Sequence, residues 1–304
     1  MNKKSIVFMG TPIFAVECLK KLVDQKFNIL GVITSVDKKR GRGRKISFSP
    51  VKEYALSKNI KIFQPPNLKS KEFINKIKKL NADLFVVVAF RMLPKILIDL
   101  PKKGSINLHA SLLPNYRGAA PINWVLINGE NTTGVTTFFI NEKIDEGNII
   151  DTKKITISEN ETAGSLHDKL IISGSKLLIE SIKKIFTKKI KVTQQKIGSN
   201  DKKAPKITKE FCQINLELKS TQLIRFIRGL SPYPGARIIQ NNKIIKILNA
   251  TSSKNIKGEK GKIFHFKNKL ILNNNFEESI EITEIQVEGK KKMLTKNFIK
   301  GNTL

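Results

Sequence analysis

The hydrophobic positions in the first two thirds of the chain alternate between continuous apolar runs and stretches with helical spacing. Residues 5–9 and 84–89 are apolar at nearly every position, which is typical of strands buried on both faces of a parallel sheet. Between them, Phe14, Cys18 and Leu22 recur once per helical turn and predict a helix with a buried face. The pattern predicts an α/β fold with a mostly parallel sheet.

The pattern changes near residue 200. Residues 211–304 contain one helical segment and several short β-type segments, which are separated by turns with Asn and Gly. This arrangement predicts a smaller, OB-like β-barrel. The polar stretch 201–210 has the composition of a linker, so we expect one domain at residues 1–200 and a second at 211–304.

The net charge is +31, from 56 Lys and Arg against 25 Asp and Glu. Such an excess favours a polyanionic partner, although the high Lys, Ile and Asn content also fits a codon bias that spreads charge over solvated faces. The two cysteines, Cys18 and Cys212, are far apart, and no His/Cys cluster has metal-ligand spacing, so we expect no metal. No apolar run is long enough to cross a bilayer, which predicts a cytoplasmic protein without membrane contact.

The densest positive charge lies in an insertion at residues 35–49, where Gly alternates with Arg. Such a segment has no apolar face to bury and predicts a mobile surface loop. Loops of this length are usually functional, so we expect binding to a phosphate backbone; a plain solvated loop is the alternative. The cations expected to make these contacts are Lys38, Lys39, Arg40, Arg42, Arg44 and Lys45.

A strand-like segment near residue 105 ends in two polar residues, Asn107 and His109. Residues two positions apart on a strand point to the same face. A loop rich in Ser, Pro, Asn and Gly follows, and the carboxyl end of a strand is the usual place for a site in an α/β sheet. A solitary histidine is nevertheless more often structural than catalytic, so the spacing alone leaves both interpretations open.

Six motifs occur in order along the chain. They are Met9-Gly10-Thr11-Pro12-x-Phe14-Ala15-Val16, Ser49-Pro50-Val51-Lys52, Asn107-x-His109-x-Ser111-Leu112-Leu113-Pro114-x-x-Arg117-Gly118-Ala119-Ala120-Pro121, Gly134-Val135-Thr136, Ile144-Asp145-x-Gly147 and Ser231-Pro232-x-Pro234-Gly235-Ala236. Over essentially the whole chain this set resembles the 10-formyltetrahydrofolate-dependent formyltransferases. Three features resemble the methionyl-tRNA formyltransferase family in particular. They are the Arg-Gly-Ala-Ala-Pro sequence at residues 117–121, the insertion at residues 35–49, here called the basic loop, and the C-terminal region.

The resemblance implies a Rossmann-like catalytic domain, and formyl transfer from 10-formyltetrahydrofolate to methionine on initiator Met-tRNA. Independently of the resemblance, a monomer is the default expectation for this chain. Asn107, His109 and Asp145, here called the catalytic trio, would carry the chemistry. The basic loop and the barrel would bind the tRNA. The residues implied to contact the folate are Ser111, Leu112, Leu113, Pro114 and Phe90.

The residue types of the trio suit this chemistry. When an amine attacks a formyl carbon, negative charge develops on the formyl oxygen, which Asn107 and His109 can stabilise by donating hydrogen bonds. Asp145 can orient His109 and help to move a proton. Two other functions fit the sequence: a folate-dependent formyltransferase or hydrolase acting on a small amine or sugar nucleotide, and a non-enzymatic basic RNA-binding protein.

Overall fold

A computed structural model of the chain describes residues 4–40 and 45–301, except for the side chains of residues 39, 40 and 45. The elements of the first half are β1 (Ser5–Gly10), α1 (Ile13–Asp24), β2 (Asn28–Ile33), β3 (Lys38–Arg40), β4 (Lys45–Ser47), α2 (Pro50–Ser57), β5 (Ile62–Phe63), α3 (Lys71–Lys78), β6 (Leu84–Val88), α4 (Lys95–Ile98), β7 (Ser105–His109), β8 (Arg117–Gly118), α5 (Pro121–Ile127), β9 (Thr132–Phe139) and β10 (Ile149–Thr156). The remaining elements are α6 (Ala163–Phe186), β11 (Lys203–Ala204), α7 (Ser220–Leu230), β12 (Ala236–Gln240), β13 (Lys243–Ser252), β14 (Ile263–Phe266), β15 (Lys269–Asn273), β16 (Ser279–Val287), β17 (Met293–Leu294) and α8 (Thr295–Phe298).

The chain divides into two units, each assembled from three segments. The first comprises Met1–Arg117, Gly134–Ile155 and Lys169–Lys203. The second comprises Gly118–Thr133, Thr156–Asp168 and Ala204–Leu304. The sequence-based boundaries at 1–200, 201–210 and 211–304 stay a prediction.

The main sheet of the first unit has the strand order β10-β9-β7-β6-β1-β2-β5. Strands β1, β2, β5, β6 and β7 pair in parallel, and β9 runs antiparallel to β7. Strand β1 is buried at every position, as its continuous apolar run predicts. The predicted α/β fold with a mostly parallel sheet is confirmed.

Helices α3 and α4 cover one part of this sheet. Phe73 and Ile77 of α3 and Leu97 of α4 belong to the same buried cluster as Met9 and Val87 of the central strands. Each such side chain contributes about 1.5–3 kcal/mol when it is fully buried.

Cys18 of α1 has no exposed surface, which confirms its prediction as a core residue. Burial raises the pKa of its thiol above the ordinary range. The thiol is therefore held in its neutral form.

The second unit is built around an antiparallel sheet with the order β12-β13-β16-β15-β14, and β17 pairs with β16. The sheet curls into a half-barrel, which confirms the predicted OB-like domain. Leu223 and Ile227 of α7 lie in one buried cluster with Ile245, Ile282 and Ile285 of the sheet. The helix thus closes the apolar side of the curled sheet.

The basic insertion differs from the predicted mobile loop. Lys38–Arg40 and Lys45–Ser47 pair antiparallel, with Lys38 opposite Ser47, and are here called the basic hairpin. Each of the two strands is three residues long, and such short strands give too little periodicity to be seen in the sequence. Residues 41–44, which include Arg42 and Arg44, lie outside the described residues.

In the part of the chain that the structure describes, no helix combines the length and apolar character needed to pass through a bilayer.

Candidate active site

Strand β7 places Asn107 and His109 on one face, as the period of two predicts. In the pairing with β9, Asn107 lies opposite Phe138 and His109 opposite Thr136. His109 is the last residue of β7 and is only 6% exposed. The two polar side chains are therefore presented from a strand that has neighbours on both sides, which fixes their backbone.

The two ring nitrogens of His109 have different partners. Nε2 lies 2.9 Å from the backbone oxygen of Tyr116. A carbonyl oxygen only accepts hydrogen bonds, so Nε2 carries the ring N–H and donates a hydrogen bond to the Tyr116 carbonyl. Nδ1 faces Oδ2 of Asp145 at 3.7 Å. In the neutral ring, Nδ1 is the nitrogen that can accept a proton.

The loop after β7 is held by buried hydroxyl groups. Thr136 Oγ1 donates to the backbone oxygen of Ser111 at 2.7 Å and accepts from the backbone N–H of Leu113 at 3.2 Å. The hydroxyl of Ser111 donates to the backbone oxygen of Asn115 at 2.7 Å. These bonds fix the path of the chain up to Tyr116, the residue that binds His109.

Asp145 lies in the hairpin between β9 and β10, in a left-handed backbone conformation with φ of 55°. Gln195 Nε2 donates to the backbone oxygens of Asp145 at 2.9 Å and Gly147 at 2.7 Å. A Cβ at Gly147 would come within 1.6 Å of the backbone oxygen of Phe139, so the turn accepts only glycine there. The Asp145 side chain is 13% exposed.

The amide of Asn107 is less constrained than the imidazole. Its Oδ1 is buried and has no hydrogen-bond partner among the described residues. The terminal torsion of an amide side chain is broad, so the group can turn to present its N–H₂ to a neighbouring oxygen. The unsatisfied oxygen of Asn107 leaves its amide able to bind a water molecule or a ligand.

Most of the residues expected to contact the folate lie in the loop after β7. Ser111 is fully buried with its hydroxyl bound within the loop, and Leu113 is 6% exposed. Leu112 and Pro114 are half-buried. Phe90 is half-buried, packs on the core beside α3, and has the Arg91 guanidinium 5.3 Å from its ring centroid. Their contact with folate stays a prediction.

The expected tRNA contacts are described only in part. Lys38 is exposed at the start of β3. Lys39, Arg40 and Lys45 lie in the basic hairpin, but their side chains are not described, and Arg42 and Arg44 lie outside the described residues. At the base of the hairpin, Asp37 accepts hydrogen bonds from Lys52 and Gln64.

Comparisons with known proteins cover both units. The formyl transferase family matches residues 3–182, and the C-terminal domain of formyl transferases matches residues 206–303. Methionyl-tRNA formyltransferase of Flavobacterium johnsoniae is 45% identical over 310 residues, covering 100% of this chain and 98% of that protein. The enzyme of the same name from Clostridioides difficile is 42% identical, covering 98% of this chain and 97% of its own.

The chain belongs to the methionyl-tRNA formyltransferase family.

Solved structures share the fold. The sugar 3N-formyl transferase WlaRD, crystallised in the presence of dTDP and 5-N-formyl-THF, has a TM-score of 0.66 and 25% identity, covering 96% of this chain and 100% of that one. HypX from Aquifex aeolicus, in complex with tetrahydrofolic acid, has a TM-score of 0.67 and 16% identity, covering 98% of this chain and 48% of that one.

Two groups that shape the site in this family member are not predicted by the sequence. They are the backbone of Tyr116 and the amide of Gln195. Gln195 sits 50 residues from Asp145, in a polar segment with no motif, so no local signal pointed to it. Thr136 belongs to the Gly134-Val135-Thr136 motif, but its position opposite His109 follows only from the pairing of β7 with β9.

Three further polar contacts hold the loop after β7. Arg117 Nη2 lies 3.2 Å from Oδ2 of Asp201, and both side chains are largely buried. The backbone N–H of Lys202 donates to Asn115 Oδ1 at 3.1 Å, and Tyr116 N–H donates to the backbone oxygen of Lys202. Residues 201–202, predicted as part of a linker, thus bind the loop that carries the partner of His109.

Proposed function

We propose that this chain transfers the formyl group of 10-formyltetrahydrofolate to the α-amino group of methionine on initiator Met-tRNA, as a cytoplasmic monomer. The observation that carries the proposal is the fixed direction of His109, which donates from Nε2 to the Tyr116 carbonyl and turns Nδ1 toward Asp145. The full-length likeness to methionyl-tRNA formyltransferases supports the choice of substrates.

The attacking amine must be neutral. An α-amino group has an ordinary pKa of about 7.7–8.0, so near neutral pH most of it carries a proton that has to be removed. Nδ1 of His109 is the base we assign to this proton, since Nε2 is committed to Tyr116. The carboxylate of Asp145, 3.7 Å from Nδ1, orients the ring and offsets the positive charge that the ring acquires.

Asn107 is the group we assign to the formyl oxygen. Its amide lies on the same face of β7 as His109 and has an unsatisfied oxygen, so it can turn its N–H₂ toward an incoming acceptor. A donor aimed at developing negative charge in a water-poor site is worth about 2.7–4 kcal/mol of barrier. Because Nε2 of His109 already donates to Tyr116, the Asn107 amide is the main hydrogen-bond donor to the formyl oxygen.

The residues present fit a folate co-substrate. When bound, 10-formyltetrahydrofolate would supply a formyl group attached to N10. The proton that Nδ1 of His109 takes from the amine would pass to N10 as the formyl C–N10 bond breaks. We assign its contacts to Leu112 and Pro114, which keep exposed surface, and to the backbone of Ser111 and Leu113, whose side chains are buried. Phe90 follows the end of β6, the strand next to β7 in the sheet, and adds an aromatic surface.

The tRNA is assigned to the basic hairpin and the second unit. Exposed cations such as Lys38 can neutralise phosphates, and released counter-ions then supply affinity that falls as salt rises.

The test is a set of formyl-transfer assays with 10-formyltetrahydrofolate and four acceptors at equal concentration: initiator Met-tRNA, elongator Met-tRNA, methionine methyl ester and a dTDP-linked amino sugar. We expect turnover with initiator Met-tRNA to exceed all the others. Preferred transfer to the amino sugar would replace the proposed substrate. RNA binding without any transfer would instead favour a non-enzymatic RNA-binding protein.

A further inference from the structure

Gln195 lies in a polar segment that connects α6 to the second unit. Its neighbours Gln194 and Lys196 are exposed, whereas Gln195 is only 8% exposed. A buried amide is stabilised only when its polar atoms find hydrogen-bond partners. The contacts of Gln195 therefore indicate what its burial achieves.

Both hydrogen bonds donated by the Gln195 amide end on one turn. Nε2 donates to the backbone oxygen of Asp145 at 2.9 Å and to that of Gly147 at 2.7 Å. Oε1 is buried without a partner among the described residues. The side chain thus leaves its acceptor unsatisfied while it binds the two carbonyl groups of the turn.

The backbone of the turn is in a less common conformation. Asp145 has φ of 55°, in the left-handed region that residues other than glycine adopt infrequently, so hydrogen bonds to the turn help to hold it. Gln195 is itself fixed, because Thr193 exchanges two backbone hydrogen bonds of 2.8 Å with Ile149, the first residue of β10. The amide therefore reaches the turn from a position two residues after an isolated β-bridge to Ile149.

We propose that Gln195 is a positioning residue, which holds the backbone of the 145–147 turn so that the Asp145 carboxylate faces Nδ1 of His109. It touches neither substrate and acts through Asp145. The inference rests on the role assigned to Asp145 under the proposed function. The proposed mechanism then also depends on Gln195, which lies about 50 positions after Asp145 in a polar segment without a motif.

The main test compares Gln195→Met with Gln194→Met as the matched exposed control. Methionine keeps the length and most of the volume but donates no hydrogen bond. A catalytic group displaced by about 1 Å can lose a hundredfold in rate, so we expect kcat to fall about 10- to 100-fold. KM for Met-tRNA and for the folate should stay within about twofold, since no substrate contact is removed.

Two further variants separate positioning from general support. Gln195→Asn retains both N–H groups on a shorter arm, and we expect its kcat to lie between those of the wild type and Gln195→Met. Adding Gln195→Met to Asp145→Asn should cause no further loss, because the two residues act as one unit. If the Met variant does not fold, the Asn variant is judged alone by the same division between kcat and KM.

Equal kcat in Gln195→Met and Gln194→Met would overturn the inference, as would a loss that adds in full to that of Asp145→Asn. If Asp145→Asn itself retains wild-type turnover, the assignment of Asp145 fails and with it the proposed mechanism. A different outcome would be an inactive Asp145→Asn enzyme together with a fully active Gln195→Met enzyme. That outcome would reject only the positioning role of Gln195.

Discussion

The catalytic trio and the basic hairpin occupy the same unit but are held in different ways. His109 is buried, with one nitrogen bound to Tyr116, and the turn that carries Asp145 is bound by Gln195. In the hairpin, Lys38 is exposed. At the base of the hairpin, the Asp37 carboxylate accepts a hydrogen bond from Gln64. Proton transfer needs atoms fixed to a fraction of an ångström, whereas attraction between charges extends over about 8 Å at physiological salt. We therefore expect the basic hairpin to tolerate sequence change better than the catalytic trio.

The largest effect is expected at His109. In His109→Gln, the side-chain amide can still donate to the Tyr116 carbonyl, but Nδ1 is lost. We expect kcat to fall about 10²- to 10⁴-fold with little change in the unfolding temperature, because a proton acceptor is removed while the fold is kept. The measurement is single-turnover formyl transfer, with His265→Gln as an exposed control. Equal activity of the two variants would show that His109 is structural.

Asn107 should come next. Asn107→Ala removes the donor assigned to the formyl oxygen, and we expect about a 10²- to 10³-fold loss in kcat. The exposed Asn75 of α3 provides the control, as Asn75→Ala. A rise in KM with kcat unchanged would contradict the assignment, since it would mean that Asn107 binds the ground state and the transition state equally.

In the basic hairpin, the effect should be smaller and of another kind. Lys38→Ala should raise KM for Met-tRNA a few-fold, leave kcat unchanged and reduce the slope of log affinity against log salt by about 1. Arg42→Ala, at a position outside the described residues, should behave in the same way. Binding of tRNA is measured across a salt series, with Lys78→Ala of α3 as control. Unchanged salt slopes would mean that the hairpin is only a solvated surface.

The smallest effect should come from the base of the hairpin. Hydrogen bonds from Lys52 and Gln64 lower the pKa of Asp37 below its ordinary value of 3.8. A lowered carboxyl pKa contributes stability above the ordinary value, and the contribution is lost as pH falls through the folded-state value. The unfolding midpoint of Asp37→Asn should lie below that of the wild type at neutral pH, and the gap should close in acid. A gap independent of pH would exclude this linkage.

The sequence predicted the parts of the site that local periodicity controls. Apolar runs located β1 and β6, and the spacing of two placed Asn107 and His109 on one face of β7. The tautomer of His109 was out of reach, because it depends on a backbone carbonyl seven residues away, brought back by a loop. Gln195 was missed because its contacts join segments about 50 residues apart and involve only main-chain atoms of the turn. The pairing within the basic hairpin was missed because its strands are three residues long.

The central claim is that His109 and Asp145 act as a proton-handling pair in formyl transfer to Met-tRNA. The most direct test is a single-turnover measurement with Asp145→Asn, in which enzyme loaded with 10-formyltetrahydrofolate is mixed with initiator Met-tRNA. We expect wild-type folding, unchanged tRNA binding and a rate about 10²- to 10⁴-fold below that of the wild type. A rate within about twofold of the wild type would contradict the account, because no proton transfer could then depend on the carboxylate.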